Sequence, residues 1–246
     1  MASARLIALA ILLWLPAAAS AAADRQSKTF ALPAGKILTL EMTVGELRIT
    51  GSARADVLME VVRHAPTDDG LARIPIEIED SGTQLRIHAL QTNGGTDPAF
   101  RTDFVLDVPR DAQLTPVRVL EGHVTLASLQ GAVTVDLQRG SITASDVSGV
   151  LRLETHVGHI VLDRARLTAG GLLRLRTFNG DVTLSLSERP RDARIMALAL
   201  NGTIESAIPL AMKDTWGPRW GEATLGEGQP VISIDVVRGK IHIKSP

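Results

Sequence analysis

Aliphatic residues occupy every second position in short bursts along most of the chain, and the bursts return at a constant interval. Glycine falls at Gly122, Gly131, Gly140, Gly149 and Gly158, nine residues apart each time, and after a four-residue insertion the pattern resumes at Gly171 and Gly180. Behind each of these glycines stands the phrase Gly-x-Φ-x-Φ, with Φ aliphatic, as in Gly122-His-Val-Thr-Leu126 and Gly140-Ser-Ile-Thr-Ala144. Degenerate copies lie at Gly45, Gly202 and Gly239. The alternation predicts strands with one buried face. The glycines mark turns, because glycine takes positive φ without steric cost.

A five-residue strand buries nothing by itself, whereas stacked copies bury a continuous aliphatic column. If two nonapeptides make one turn, residues eighteen apart lie above one another at ~4.8 Å. Val124, Ile142 and Ile160 then share one interior column, and Val133 and Leu151 share the opposite one. The expected fold is all-β: a single-stranded, β-helix-like β-solenoid of nonapeptide repeats with irregular β-rich N-terminal rungs. A transmembrane barrel would need strands of ~9–11 residues and aromatic girdles. A β-sandwich would not require glycine at constant spacing before an identical phrase.

The flanks alternate as well. Runs at 37–42, 57–62, 74–78, 85–87 and 104–109 are separated by turn clusters at 68–70, 80–82 and 91–96. The polar stretch 91–99 is expected to be the most mobile loop. Residues 231–236 and 240–243 should form the last strands, and no long helix is expected.

Met1 to Ala23 differs from the rest. One positive charge at Arg5, an apolar run from Leu6 to Leu15, Pro16 and then small residues through Ala23 make a signal peptide, with cleavage expected before Ala22 or Asp24. The predicted organisation is a signal peptide at 1–23, a β-rich cap or irregular rungs at 24–115, and repeats at 116–246 with a Trp-containing loop at 209–230. Residues 24–246 are expected to form one continuous domain. The chain has no cysteine, which excludes disulfides, thiolate metal sites and a cysteine-acylated lipoprotein. Loss of Arg5 takes the formal net charge of −1 to about −2. Such a surface gives no electrostatic case for nucleic acid or anionic lipid. After signal removal no stretch is long and apolar enough to span a membrane. The expected address is the periplasm or the cell surface.

Several phrases in fixed order carry a resemblance. Pro33-Ala-Gly35, Gly45-Glu-Leu-Arg-Ile49 and Leu106-Asp-Val-Pro109 precede an array containing Thr155-His-Val-Gly158-His-Ile160, Arg176-Thr-Phe-Asn-Gly180-Asp-Val182 and Leu200-Asn-Gly202-Thr-Ile204. This succession resembles the bacterial β-strand-repeat family of unknown function labelled "putative adhesin", akin to head-domain solenoids, over almost the whole mature chain. The resemblance implies an exported β-solenoid at the cell envelope. It supplies no catalytic residues to carry over.

The chain lacks nucleophile-elbow, zincin, P-loop and dinucleotide motifs. The first binding candidate is Trp216-Gly-Pro-Arg219-Trp220, which holds both tryptophans of the mature chain. An indole can stack on a sugar or an arginine, or simply bury itself as a cap. The second is an outward row of Asp136, Arg152, Glu154, Arg174 and Arg176, readable as an acid pair beside arginines or as a cross-strand ion ladder. His123 and His159 fall two rungs apart, ~10 Å, too far to share a metal; His156 and His159 with Asp163 are a weaker metal candidate whose turn geometry the sequence does not give, and neither metal nor cofactor is expected. A Thr/Ser row on the opposite face (Thr125, Ser141, Thr143, Thr183, Ser185) follows from strand preference alone. Asn201-Gly-Thr203 matches a glycosylation triplet by chance.

Three readings follow. The leading one is a non-enzymatic envelope protein whose solenoid contacts a glycan or an envelope protein. The others are a carbohydrate-active enzyme on the same scaffold and a periplasmic structural or signalling accessory.

Overall fold

The computed structural model describes residues 22–213 and 217–245, so the predicted signal peptide through residue 21 and Trp216 lie outside the described residues. Among the described residues sixteen strands join one sheet, and the only helix is a single 3-10 turn at Asp69–Arg73. The chain is all-β.

The centre is built from β8 (Ala132–Ser145), β9 (Val150–Val157), β10 (Ile160–Ala165), β11 (Leu172–Asn179), β12 (Val182–Leu186) and β16 (Val231–Lys244). Taken as β8-β9-β11-β16-β12-β10 and back to β8, all six pairings are parallel, and the ring closes. This closed six-stranded parallel barrel replaces the expected open solenoid. It closes because β8 and β16 are long. Each bends at a glycine, Gly140 or Gly239, and pairs with one short strand before the bend and another after it. The eighteen-residue register lies inside the ring: Val133 faces Leu151, and Ile142 faces Ile160.

The bends explain the glycines. Gly122, Gly140, Gly158, Gly180 and Gly239 lie at φ between +132° and +153°. They also sit directly over one another. A Cβ on Gly140 would come 1.7 Å from the Gly122 carbonyl oxygen, and one on Gly158 would come 1.6 Å from that of Gly140. No side chain fits there. Two buried threonines bind this corner, Thr155 Oγ1 donating to the Gly140 carbonyl at 3.4 Å and Thr177 Oγ1 to that of Gly158 at 3.0 Å. The opposite corner uses positive φ without glycine at Ser128, Asp146 and Arg164, again eighteen residues apart.

The array extends beyond the ring at both ends, and the chain does not fill it in order. On one side β7 (Gln113–Ala127) lies on β8, and β2 (Ile37–Ser52) lies on β7. Beyond β2 come β5 (Gln84–Ala89) and β6 (Arg101–Pro109), so the earlier strand is inside the later ones. On the other side β16, the last strand of the chain, is interior, and β13 (Ala193–Ser206) lies outside it. Antiparallel strands cover the ends. β3 (Asp56–Ala65) covers β6, β1 (Ala22–Ala31) covers β3, and β4 (Glu77–Asp80) covers β5. At the far end β15 (Arg219–Leu225) lies on β13, and β14 (Ala211–Lys213) lies on β15. The sheet ends at β14 on a strand only three residues long, and a very short edge strand offers little to strand addition.

Inward positions form columns of Leu, Ile, Val and Ala, nearly all fully buried. Burying each large aliphatic side chain contributes about 1.5–3 kcal/mol.

Candidate functional site

Before each corner glycine, alternate residues point out of the sheet, and parallel in-register pairing lines them up from strand to strand. The row four positions before the glycine runs Glu77, His88, Glu41, Arg118, Asp136, Glu154, Arg176, Asp235, Leu198, Trp220, Lys213. Asp136 and Glu154, predicted as neighbours, are direct register partners, and Arg176 stands opposite Glu154. Trp220, nominated separately, caps the same row: β15 sets it opposite Leu198. Of the first candidate, Trp220 therefore shares a face with the second. Sequence periodicity could not show this, because antiparallel β15 lies outside the repeat. Arg219 is exposed opposite Ala199, and the half-buried Trp220 has its indole nitrogen buried without a partner.

Five of the eleven residues in this row make ion-pair contacts. Arg118 binds Glu41 at 2.6 Å, His88 lies 3.5 Å from the other oxygen of Glu41, and Arg176 is 3.8 Å from Glu154. Asp136 Oδ1 is buried without a hydrogen bond.

Two flanking rows complete the face. Nearer the corner run Leu120, Gln138, His156, Phe178, Val237 and Leu200. The His156 and Phe178 rings stack at 4.9 Å with 8° between their planes, and the Arg176 guanidinium sits 4.7 Å from the Phe178 centroid. Farther from the corner run Thr134, Arg152, Arg174, Ser233 and Met196. At the C-terminal end a groove of about 270 Å³ lies over Leu198, Leu200, Asp235 and Val237, with Arg174 and Arg176 at its side.

The opposite face carries the hydroxyl row. Thr125 pairs with Thr143, and Val161 separates Thr143 from Thr183. His123 Nδ1 lies 2.7 Å from Ser141 Oγ, while His159 Nδ1 accepts from the Asp181 backbone N–H at 3.0 Å. These histidines bind neighbours in their own rows. Among the described residues no three His, Cys, Asp or Glu side chains are grouped to hold a metal ion. At the opposite corner the Arg164 guanidinium binds both Asp146 carboxylate oxygens, at 2.9 and 2.6 Å, and holds that carboxyl below its ordinary pKa.

No family profile and no curated protein matches this chain. Among solved structures it is similar to a "putative cell adhesion protein" from Clostridium sporogenes, at 13% identity and a TM-score of 0.48, covering 91% of this chain and 100% of the other. A "putative adhesin" from Bacteroides fragilis aligns at 12% identity and a TM-score of 0.32, over 91% of this chain and 97% of the other. A "putative lipid binding protein" from Parabacteroides distasonis aligns at 11% identity and 0.32, over 90% and 97%. Likenesses at this level carry no argument about what the chain does.

Proposed function

We propose that this chain is a non-enzymatic, exported envelope protein, adhesin-like in use, whose parallel barrel and the strands stacked on it make a rigid support for a binding face. The face is the one carrying the ladder from Glu77 to Lys213, and its ligand is a glycan or an envelope protein. The observation that carries the reading is the ladder itself. Eleven strands hold charged, apolar and aromatic side chains in fixed rows on one broad surface, an arrangement that suits an extended ligand better than a small substrate. The signal sequence read in residues 1–23 supports export. Among the described residues no helix is long and apolar enough to cross a membrane.

Fractionation of cells expressing the full chain, followed by capture of the purified mature protein on peptidoglycan and a glycan array, tests the reading. Export with retention on envelope material supports it, and a cytosolic unprocessed chain overturns it.

One observation favours a second reading, a carbohydrate-active enzyme: Asp136 and Glu154 are adjacent, and one Asp136 oxygen is buried without a partner. Asp136→Asn and Glu154→Gln separate the two. Binding by the wild type with no polymer cleavage by any form supports the scaffold. Cleavage that either substitution abolishes makes the chain an enzyme.

A further inference from the structure

We infer that Arg152 and Arg174 form an anion clip for an acidic polysaccharide lying along the strand stack, an inference that rests on the envelope-binding reading above. The two arginines are direct register partners on β9 and β11, and both are exposed. Like charges directly opposite each other on a sheet destabilise it.

Four arginines elsewhere on this side of the molecule have carboxylate partners, whereas Arg238, in the corner row of Arg139, stands among the described residues without one and without an arginine opposite it. Arg86 has Glu79 at 2.9 Å, Arg118 has Glu41 at 2.6 Å, Arg139 has Glu121 at 3.2 Å and Arg194 has Glu222 at 2.9 Å. Arg152 and Arg174 have no ion pair or side-chain hydrogen bond among the described residues. The ladder that neutralises its other arginines leaves these two unpaired and side by side.

The surroundings narrow the ligand. Thr134 and Ser233 continue the row on either side, placing a hydroxyl next to each guanidinium. Neighbouring strands lie ~4.8 Å apart, so a chain with acid groups at about that interval sets one on each arginine. A guanidinium receives a carboxylate or sulfate through two parallel N–H donors. Beside Arg174 the groove over Leu198, Leu200 and Val237 is open and shallow, and takes the apolar face of the next sugar rather than enclosing a small molecule. Arg176, held over Phe178, borders that groove.

The test measures binding of purified mature protein to polygalacturonate and dextran sulfate, with neutral dextran and phosphatidylglycerol vesicles as comparators. Variants are Arg152→Gln/Arg174→Gln and, as a charge-matched control off the row, Arg139→Gln/Arg238→Gln. The clip predicts salt-sensitive binding of at least one acidic polymer, no binding of neutral dextran, and at least a tenfold loss in the Arg152/Arg174 variant only. It also predicts that the same variant keeps or raises its Tm, since a like-charge pair has been removed. A structural role would lower Tm without that selectivity. The inference is overturned if wild type binds neither acidic polymer, if both double variants lose binding equally, or if only the vesicles bind. Retention of wild type and variant alike on peptidoglycan would leave the envelope reading standing while removing the clip.

Discussion

The six central strands and the two ends of this molecule keep their cores dry by different means. In the centre and on β7 beside it one phrase recurs from strand to strand, eighteen residues apart up to β9 and β10 and farther apart beyond them, so a single pattern of glycine, outward and inward residues serves every layer: Val124, Ile142, Ile160 and Val182 stack at no more than 1% exposure. At the ends repetition stops and other devices take over. The outer layers are covered by antiparallel strands, and Ile208 is buried beyond β13, at 3% exposure. A repeat stabilises its neighbours and leaves its last copy open; the open copy must be closed by sequence that does not repeat.

The strongest way to break the centre is a charge in its column. Ile142 is fully buried between Val124 and Ile160, whereas Thr143, one residue on, is exposed. Ile142→Asp should cost more than about 4 kcal/mol and leave no cooperative unfolding transition, because an ion cannot be buried unpaired. Thr143→Asp should stay within about 0.5 kcal/mol of wild type. Urea melts followed by circular dichroism compare the two, and equal behaviour would refute the inward and outward assignment.

That contrast also shows how far the sequence could be read. Strand alternation, the corner glycines and the pairing of Asp136 with Glu154 all follow from one local period. The closed ring does not follow from it. Closure depends on β16, at the end of the chain, entering between β11 and β13, and on β2 entering between β6 and β7. These pairings join residues far apart in sequence, and nothing local specifies them. The Trp220 position was hidden for the same reason. The polar 91–99 segment, expected as the most mobile loop, is pinned through buried Gln91, whose amide donates to the carbonyls of Asp97 and Phe100 at 2.9 and 2.8 Å. One buried glutamine inside a polar run leaves no pattern in the sequence.

A smaller effect separates the corner from the turns at the ends. Gly140→Ala puts a methyl group on a backbone oxygen and forces φ +132° on an L side chain, whereas Gly82 has open space around it. The first should cost about 3 kcal/mol, combining strain with displaced backbone, and the second less than about 0.5 kcal/mol. Calorimetric Tm values give the comparison: a loss at Gly82 matching that at Gly140 would mean that the stacked corner has no special role.

The smallest predicted effect lies at the N-terminal end, where β1 is held to β3 partly by an ion pair. Arg63 Nη2 donates to Asp24 Oδ2 at 2.5 Å, and its other amine reaches the carbonyls of Leu71 and Ile74 at 3.2 and 3.3 Å. The hydrogen bond from Arg63, helped by one from Gln26, holds the Asp24 carboxyl below its free value of 3.8. The unfolded chain therefore takes up this proton at a higher pH than the folded one. The pair's contribution is complete above pH 3.8 and is lost as the pH falls through the lower folded value. Asp24→Asn should lower stability at pH 7 by about 1 kcal/mol or less, as befits a partly exposed pair, and the gap to wild type should close in strong acid. Tm values of both proteins between pH 7 and pH 2 measure this. A gap that persists at pH 2 would assign the loss to packing of β1 rather than to charge. A gap absent at pH 7 would mean that the ten backbone pairings from Ala22 to Ala31 hold the strand without help.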